Sequence, residues 1–345
     1  MILIRDIRLE DLNGLLKLAR HLNSYNLPAD PVRLKALIRA SVASFAGRVG
    51  NAGARRYLFV AEDTAVRRLA GCSLVLARHG TPGLPHLSFR VGQHAKHSRT
   101  LHKTVWHRTL ALHADRRGFT EIGGLVVLPE YRGTEERVGR KLSYVRFTFM
   151  ARHRALFRPR VLVEYLPKLD PQTGNKLWEY LGKHFTGLSY READALSASN
   201  KEFILSLFPK ERIYCSTLPY SALRPLSTMA PGARASLRLL RRMSFRYSNH
   251  VDPFDGGPHY TARLEAIPLV RATRTLLYDG TTRPGRGELF PAMVLAERRG
   301  VVRAVETVCL REGARARLPV RAARLLGLSG RERLSVTDLR CLDRR

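Results

Sequence analysis

Residues 121–147 read EIGGLVVLPEYRGTEERVGRKLSYVRF, and the order of residue types in this stretch decides the fold. An apolar run from Ile122 to Leu128 stops at Pro129. Tyr131, Arg132 and a glycine-bearing turn follow. Val138, Leu142, Val145 and Phe149 then recur at the spacing of one buried helix face. A buried strand that feeds a turn and then a helix N-terminus directs free backbone N–H groups and the positive dipole end toward an anion. Gly123 and Gly124, inside the strand, permit a bulge or the close packing of a helix.

Outward from that stretch, the composition sets limits. A chain of 345 residues can bury more than one core, so two or three domains are expected. Hydrophobic residues make up 44%, and no apolar run reaches membrane-spanning length. The first residues read as a charged strand–helix pattern and not as a signal peptide with a continuous apolar stretch. A cytoplasmic protein with no membrane partner is expected. Cys72, Cys215, Cys309 and Cys341 lie far apart without metal-ligand spacing, which fits small buried hydrophobes in a reducing compartment and predicts no metal.

Lys and Arg number 60 against 29 Asp and Glu, a net charge of +31. Such a field attracts polyanions, so nucleic acid is a possible but not favoured partner. The arginines are spread over nearly every segment, and no helix-turn-helix, zinc or RNP signature accompanies them. The charge favours an anionic ligand and disfavours a free cation unless local carboxylates compensate.

The pattern predicts an α/β (α+β) protein in three segments. Residues 1–155 read as strand, helix (Leu12, Leu15, Leu16 and Ala19 on one face), helix 31–47, strands at 57–63, 69–77 and 86–91, helix 98–115, strand 122–128 and the anion-turn helix. Residues 156–283 continue with strand 160–166, helices near 174–185, 200–208 and 232–243, and strands near 212–217 and 246–252. Ser244 stands where glycine usually ends a helix. Thr281 to Gly287 reads as a linker. Residues 284–345 read as a small β-rich module whose helix lies in LPVRAARLLGLSG and whose last strand lies in ERLSVTDLRCL.

Ordered matches identify a relationship. LPAD (Leu27 to Asp30), YLFVAED (Tyr57 to Asp63), FRVG (Phe89 to Gly92), LGKHFTGLSYREAD (Leu181 to Asp194), NKEFI (Asn200 to Ile204) and FRYSNHVDPFDGGP (Phe245 to Pro258) resemble the arginine N-succinyltransferase family. Segment 121–147 also resembles the pyrophosphate grip of the GCN5-related coenzyme A acyltransferases, although Arg137 replaces the expected first glycine and leaves Gly139. The resemblance implies two tandem acyltransferase-like halves and acyl-CoA, either succinyl-CoA or another ester, as co-substrate. It places the coenzyme at Leu125, Val126, Val127, Arg132, Arg137, Val138, Gly139 and Arg140. It further implies a small-molecule amine or amino acid as acceptor, and a homo- or hetero-oligomer with a family member.

The departures from the family are as informative. The family's presumed proton-transferring histidine, in a His-Pro pair, corresponds to Ala230 before Pro231. Alanine cannot move a proton. Amide formation from a thioester needs a deprotonated amine and a stabilised oxyanion, so His184, Glu121, Glu164 and His250 become candidate bases. Each also has a structural reading, such as a helix cap or an ion pair. Asp252, Asp255, Gly256 and Gly257 form an acidic turn that could dock a guanidinium or amine, or could satisfy its own backbone as an Asx turn. Asn200 joins Asp252 and Asp255 as a candidate acceptor contact. Three readings follow: an acyl-CoA N-acyltransferase acting on arginine or a related amine, a non-catalytic or regulatory subunit, and a basic nucleic-acid-binding protein.

Overall fold

In the computed structural model, which describes residues 1–22, 27–168, 175–282 and 287–343, the chain builds two units interleaved in sequence. Met1–Arg78, Thr120–Val161 and Arg263–Arg345 form the first; His79–Phe119 and Leu162–Ala262 form the second. This division differs from the three consecutive segments expected, 1–155, 156–283 and 284–345. Strand pairing is the reason. Ile4 pairs with Ala61 on one side and with Ala304 on the other, so the C-terminal residues join the N-terminal strand.

In the first unit, strands Ile2–Asp6, Arg56–Asp63 and Arg68–His79 pair antiparallel in that order. Helices Leu12–Ala19 and Pro31–Phe45 cover them, with Leu15, Leu18, Leu34 and Ile38 in the same core as Leu58 and Leu74. Asp30 caps the second helix by accepting from the Arg33 N–H at 2.7 Å, and Pro31 sits at its first turn.

The expected β-rich module is present, and it closes on itself. Glu288–Arg298 pairs with Val301–Glu312 and Arg333–Asp338, while Thr273–Thr281 pairs with Arg333–Asp338. Arg315–Leu318 runs parallel to Thr273–Thr281 and antiparallel to Val301–Glu312, which completes the ring and removes its edges. Val294, Val305, Cys309, Leu334 and Val336 share its core with Ala322 and Leu326 of helix Val320–Leu326. Its first strand therefore lies upstream of residue 284, where the module was expected to begin. Residues 283–286 of the expected linker lie outside the described residues.

Helix Val138–Arg152 buries the four residues predicted for one face, and almost everything else besides. Phe149 meets Phe45, Tyr57 and Phe59 at ring separations of 5.5, 4.9 and 5.4 Å. From another side, Thr148 shares a 2.7 Å hydrogen bond with Thr337 of the closed module.

The second unit holds a long hairpin where a helix was expected at 98–115. His86–Ser98 pairs with Lys103–Asp115 in continuous register from His86↔Asp115 to Ser98↔Lys103. The error lay in the period. Leu110 is buried while Leu112 and Ala114 pack against the same core, a repeat of two, and Thr104, Val105, Trp106 and Thr109 favour a pleated strand. The core also holds Phe89, Leu177, Ile204 and Val251, with Trp178 stacked on Phe254 at 4.7 Å and 12°. Expected strand 212–217 is only Ile213–Tyr214, followed by a tight turn at Cys215–Thr217. The helix expected near 174–185 is present over residues 176–186, widened to a π-helical turn at Trp178–Gly182 before Lys183–Thr186; residue 174 lies outside the described residues. Ser244 ends helix Ala233–Arg242 in the left-handed conformation, at φ 68°, as its glycine-like position predicts.

Candidate functional site

The anion turn lies in the first unit. Gly124 adopts φ +56°, and a Cβ there would stand 3.1 Å from the Leu74 Cβ, so the strand both bends and packs closely at this residue. Its carbonyl accepts from the Cys72 thiol at 3.5 Å. Beyond the bend, Val126 and Leu128 are buried in the helix-covered core, whereas Leu125 and Val127 are only half-buried. The chain turns at Pro129–Tyr131, where the Tyr131 hydroxyl donates to Asp63 at 3.1 Å.

Arg137 is left-handed at φ 46° and ψ 45°, which accounts for the glycine expected there. Its carbonyl accepts from the N–H groups of Arg140 (2.9 Å) and Lys141 (3.2 Å). Val138 and Gly139 occupy the first two positions of the helix, where an α-helix supplies no intrahelical acceptor for the backbone N–H. The arginine side chains are engaged elsewhere. Arg132 Nε donates to the Val127 carbonyl at 2.8 Å, and Arg140 is ion-paired with Glu306 and lies over the Tyr144 ring. Glu121, a candidate base, is buried at 2% exposure in the strand of this turn.

The second unit gathers acids. Asp252 Oδ1 accepts from the N–H groups of Phe254 (2.7 Å) and Asp255 (3.0 Å), and Asp255 Oδ1 accepts from Gly257 (2.7 Å). The Asx-turn reading is thus realised, through one oxygen of each carboxylate. A Cβ on Gly257 would lie 2.2 Å from the Tyr165 carbonyl, which presses the turn against the chain just after Glu164. Burial, then the charge of Glu164, pushes Asp252 up to about 7. Burial and the charge of Asp252 hold Asp255 well above the usual carboxylate range. The nearby Tyr190 phenol is raised by burial and then by Asp255, Asp194 and Asp252.

Glu164 is hydrogen-bonded to His86 Nε2 at 2.6 Å, and His259 Nε2 lies 3.6 Å from the same oxygen. Sequence reasoning missed both histidines. Each follows a proline at the start of a strand, Pro85–His86 and Pro258–His259, a weak signal that was there to read. The other candidates lie elsewhere in this unit. His184 is exposed with Nδ1 3.1 Å from the Glu179 carbonyl, and Asn200 is exposed and accepts from the Glu202 N–H at 2.8 Å. His250 Nδ1 is hydrogen-bonded to the Ser88 hydroxyl at 2.8 Å. The Ala230 N–H donates to the Leu166 carbonyl at 3.0 Å, so the residue that the resemblance sets at the family's histidine lies beside the end of the Glu164 strand.

Known proteins similar to this chain bear on its fold and family. Residues 2–269 match the family described as arginine N-succinyltransferase beta subunit. The arginine N-succinyltransferase of Photorhabdus laumondii is 31% identical over 299 residues, 85% of each chain. That of Yersinia enterocolitica is 32% identical over 276 residues, covering 79% of this chain and 78% of its own. Subunit AI of the arginine/ornithine succinyltransferase from Pseudomonas aeruginosa superposes with a TM-score of 0.80 at 29% identity, over 98% of both chains. The fold is the mixed α/β acyltransferase fold expected from the sequence. The chain belongs to the arginine N-succinyltransferase beta subunit family.

Proposed function

We propose that the protein is an acyl-CoA-dependent N-acyltransferase that moves a succinyl group from succinyl-CoA to the amino group of arginine or a closely related amine. The bent strand and left-handed turn at Gly124 and Arg137 carry this reading, because they leave the first N–H groups of helix Val138–Arg152 to a pyrophosphate. The coenzyme is gripped by the backbone of Val138 and Gly139, with Leu125 and Val127 flanking it. Arg140, tied to Glu306, shapes the turn instead of binding phosphate.

The acceptor is a cation docked on Asp252 and Asp255, the local carboxylates that a +31 chain requires, and its positive charge favours the ionised form that their burial opposes. With Ala230 in the histidine position, the ammonium loses its proton to water, so turnover is slow. That alanine also supports a second reading, a coenzyme-binding subunit that does not turn over. Calorimetry with succinyl-CoA, followed by mass spectrometry of arginine incubated with both, tests the proposal. Binding with N-succinylarginine formed supports the enzyme, and binding without product supports the subunit. Absence of binding defeats both.

A further inference from the structure

The geometry points to a divalent-metal site at His86, Glu164 and His259, with borderline transition ions such as Zn(II) or Co(II) as its ligand class. One ligand atom from each residue falls in a group whose members all lie within 4.8 Å of one another. Imidazole and carboxylate ligands bind zinc at about 2.0–2.2 Å, so ligands of one ion stand on the order of 3 Å apart. The separations from Glu164 Oε1, 2.6 Å to His86 and 3.6 Å to His259, bracket that value. The three ligand atoms therefore already stand close enough for side-chain adjustment to bring them onto one ion.

The ligands come from rigid elements. His86 begins strand His86–Ser98, Glu164 ends Arg160–Glu164, and His259 lies in Pro258–Arg263. The last two strands are neighbours, and the Tyr165 N–H donates to the Pro258 carbonyl at 3.2 Å. His79 and Phe119 stand edge-on to the His86 ring at 4.9 and 5.4 Å and limit its rotation. Strand-borne ligands with locked rings are the arrangement that holds an ion without a large ordering cost.

Burial supplies direction. His86 and His259 are 4% and 1% exposed, while the Glu164 side chain is 26% exposed, so an ion enters past the carboxylate and keeps an open position on that side. Two imidazoles select for Zn, Co, Ni or Fe over Mg or Ca. The charges of Asp252 and Asp255, which interact with that of Glu164, add to the field for a cation. Lys201 stands on the other side of the balance, with its ammonium on the Pro85 carbonyl at 3.0 Å.

This site shares the field of Asp252 and Asp255 with the proposed acceptor site, but it is read by metal content, so its failure leaves the proposed activity standing. The full chain, prepared without metal-affinity resin, is stripped with chelator, dialysed against Zn(II) or Co(II), and analysed for metal and thermal midpoint. The parent is expected to retain one equivalent, melt at a higher temperature with Zn(II), and show the intense visible absorption of a low-symmetry Co(II) site. His259→Asn and Glu164→Gln should lose the equivalent and the shift, while His184→Ala, exposed, keeps both. If either ligand variant fails to fold by circular dichroism, the parent's cobalt spectrum decides: the pale spectrum of hydrated Co(II) overturns the site. Retention of metal in both ligand variants, or its absence from the parent, also overturns it.

Discussion

The two units treat buried charge in opposite ways. The first pairs it. Arg5, 5% exposed, holds Asp11 through two hydrogen bonds of 2.7 and 2.8 Å and Glu62 at 2.5 Å. Glu297 takes Arg152 at 2.8 Å and His153 at 2.6 Å, and against the burial that would raise it, those bonds hold its carboxyl below the usual range. The second unit sets like charges together: burial and the charge of Glu164 raise Asp252, burial and the charges of Asp252 and Glu164 raise Asp255, and backbone N–H groups keep the two aspartates in place. Opposite charges paired in a core belong to the fold. Like charges packed together oppose folding, and a bound cation relieves that opposition.

The largest effect is expected where a paired charge is broken. Asp11→Ala leaves Arg5 buried with half its partners and should cost about 3–5 kcal/mol of stability. Urea unfolding checks it. A loss no larger than that of an exposed substitution would mean that the first unit's pairs are not structural, and the contrast between the units would collapse.

In the second unit, removing a charge should have the opposite sign. Asp252→Asn keeps the oxygen that accepts from Phe254 and Asp255 and removes the repulsion with Glu164. The pKa of Asp252 is raised in the folded state from 3.8 to about 7, so its contribution to stability is complete below 3.8 and is lost as pH rises through about 7. The stability of Asp252→Asn relative to the parent should therefore grow between those limits, as unfolding at acid and neutral pH would show. Arginine reverses the sign, because a bound cation favours the carboxylate. Its affinity for the parent should rise with pH through the same window, and the variant should lose about 1.5–3 kcal/mol of it, the scale of a hydrogen bond to a charged group. Unchanged calorimetric affinity would separate the acidic turn from the acceptor.

The smallest effect belongs to the coenzyme turn. Arg137→Gly relieves a left-handed residue, which costs about 1–2 kcal/mol for L-amino acids, while adding the chain entropy of glycine, roughly 0.5–1 kcal/mol. The thermal midpoint should rise slightly, and coenzyme affinity should hold, because the backbone makes the grip. A clear loss of affinity would show that the Arg137 side chain itself meets the phosphates.

Contiguous patterns were legible from residue order. The strand, the buried helix at 138–152 and the glycine-like Ser244 depend on neighbours within a few turns of chain, whereas the bend at Gly124 was one of two readings open there and the glycine-like place of Arg137 came from the family resemblance. The Asx geometry of Asp252 and Asp255 was likewise one of two readings open to the sequence, because residues within the short span 252–257 make it. The hairpin at His86–Asp115 was misread because its apolar repeat is short and its tip is polar, so no buried face marks the period near residue 100.

Only the tertiary structure could decide the rest. Pairing of Ile2–Asp6 with Val301–Glu312 interleaves the units, and the parallel meeting of Thr273–Thr281 with Arg315–Leu318 closes the C-terminal ring. His86, Glu164 and His259 converge because three strands, remote in sequence, end at one place. Local sterics and periodicity act along the chain, so the sequence by itself determined the turn and its helix. Strand register acts between distant segments, and the convergence of those side chains follows from that register alone.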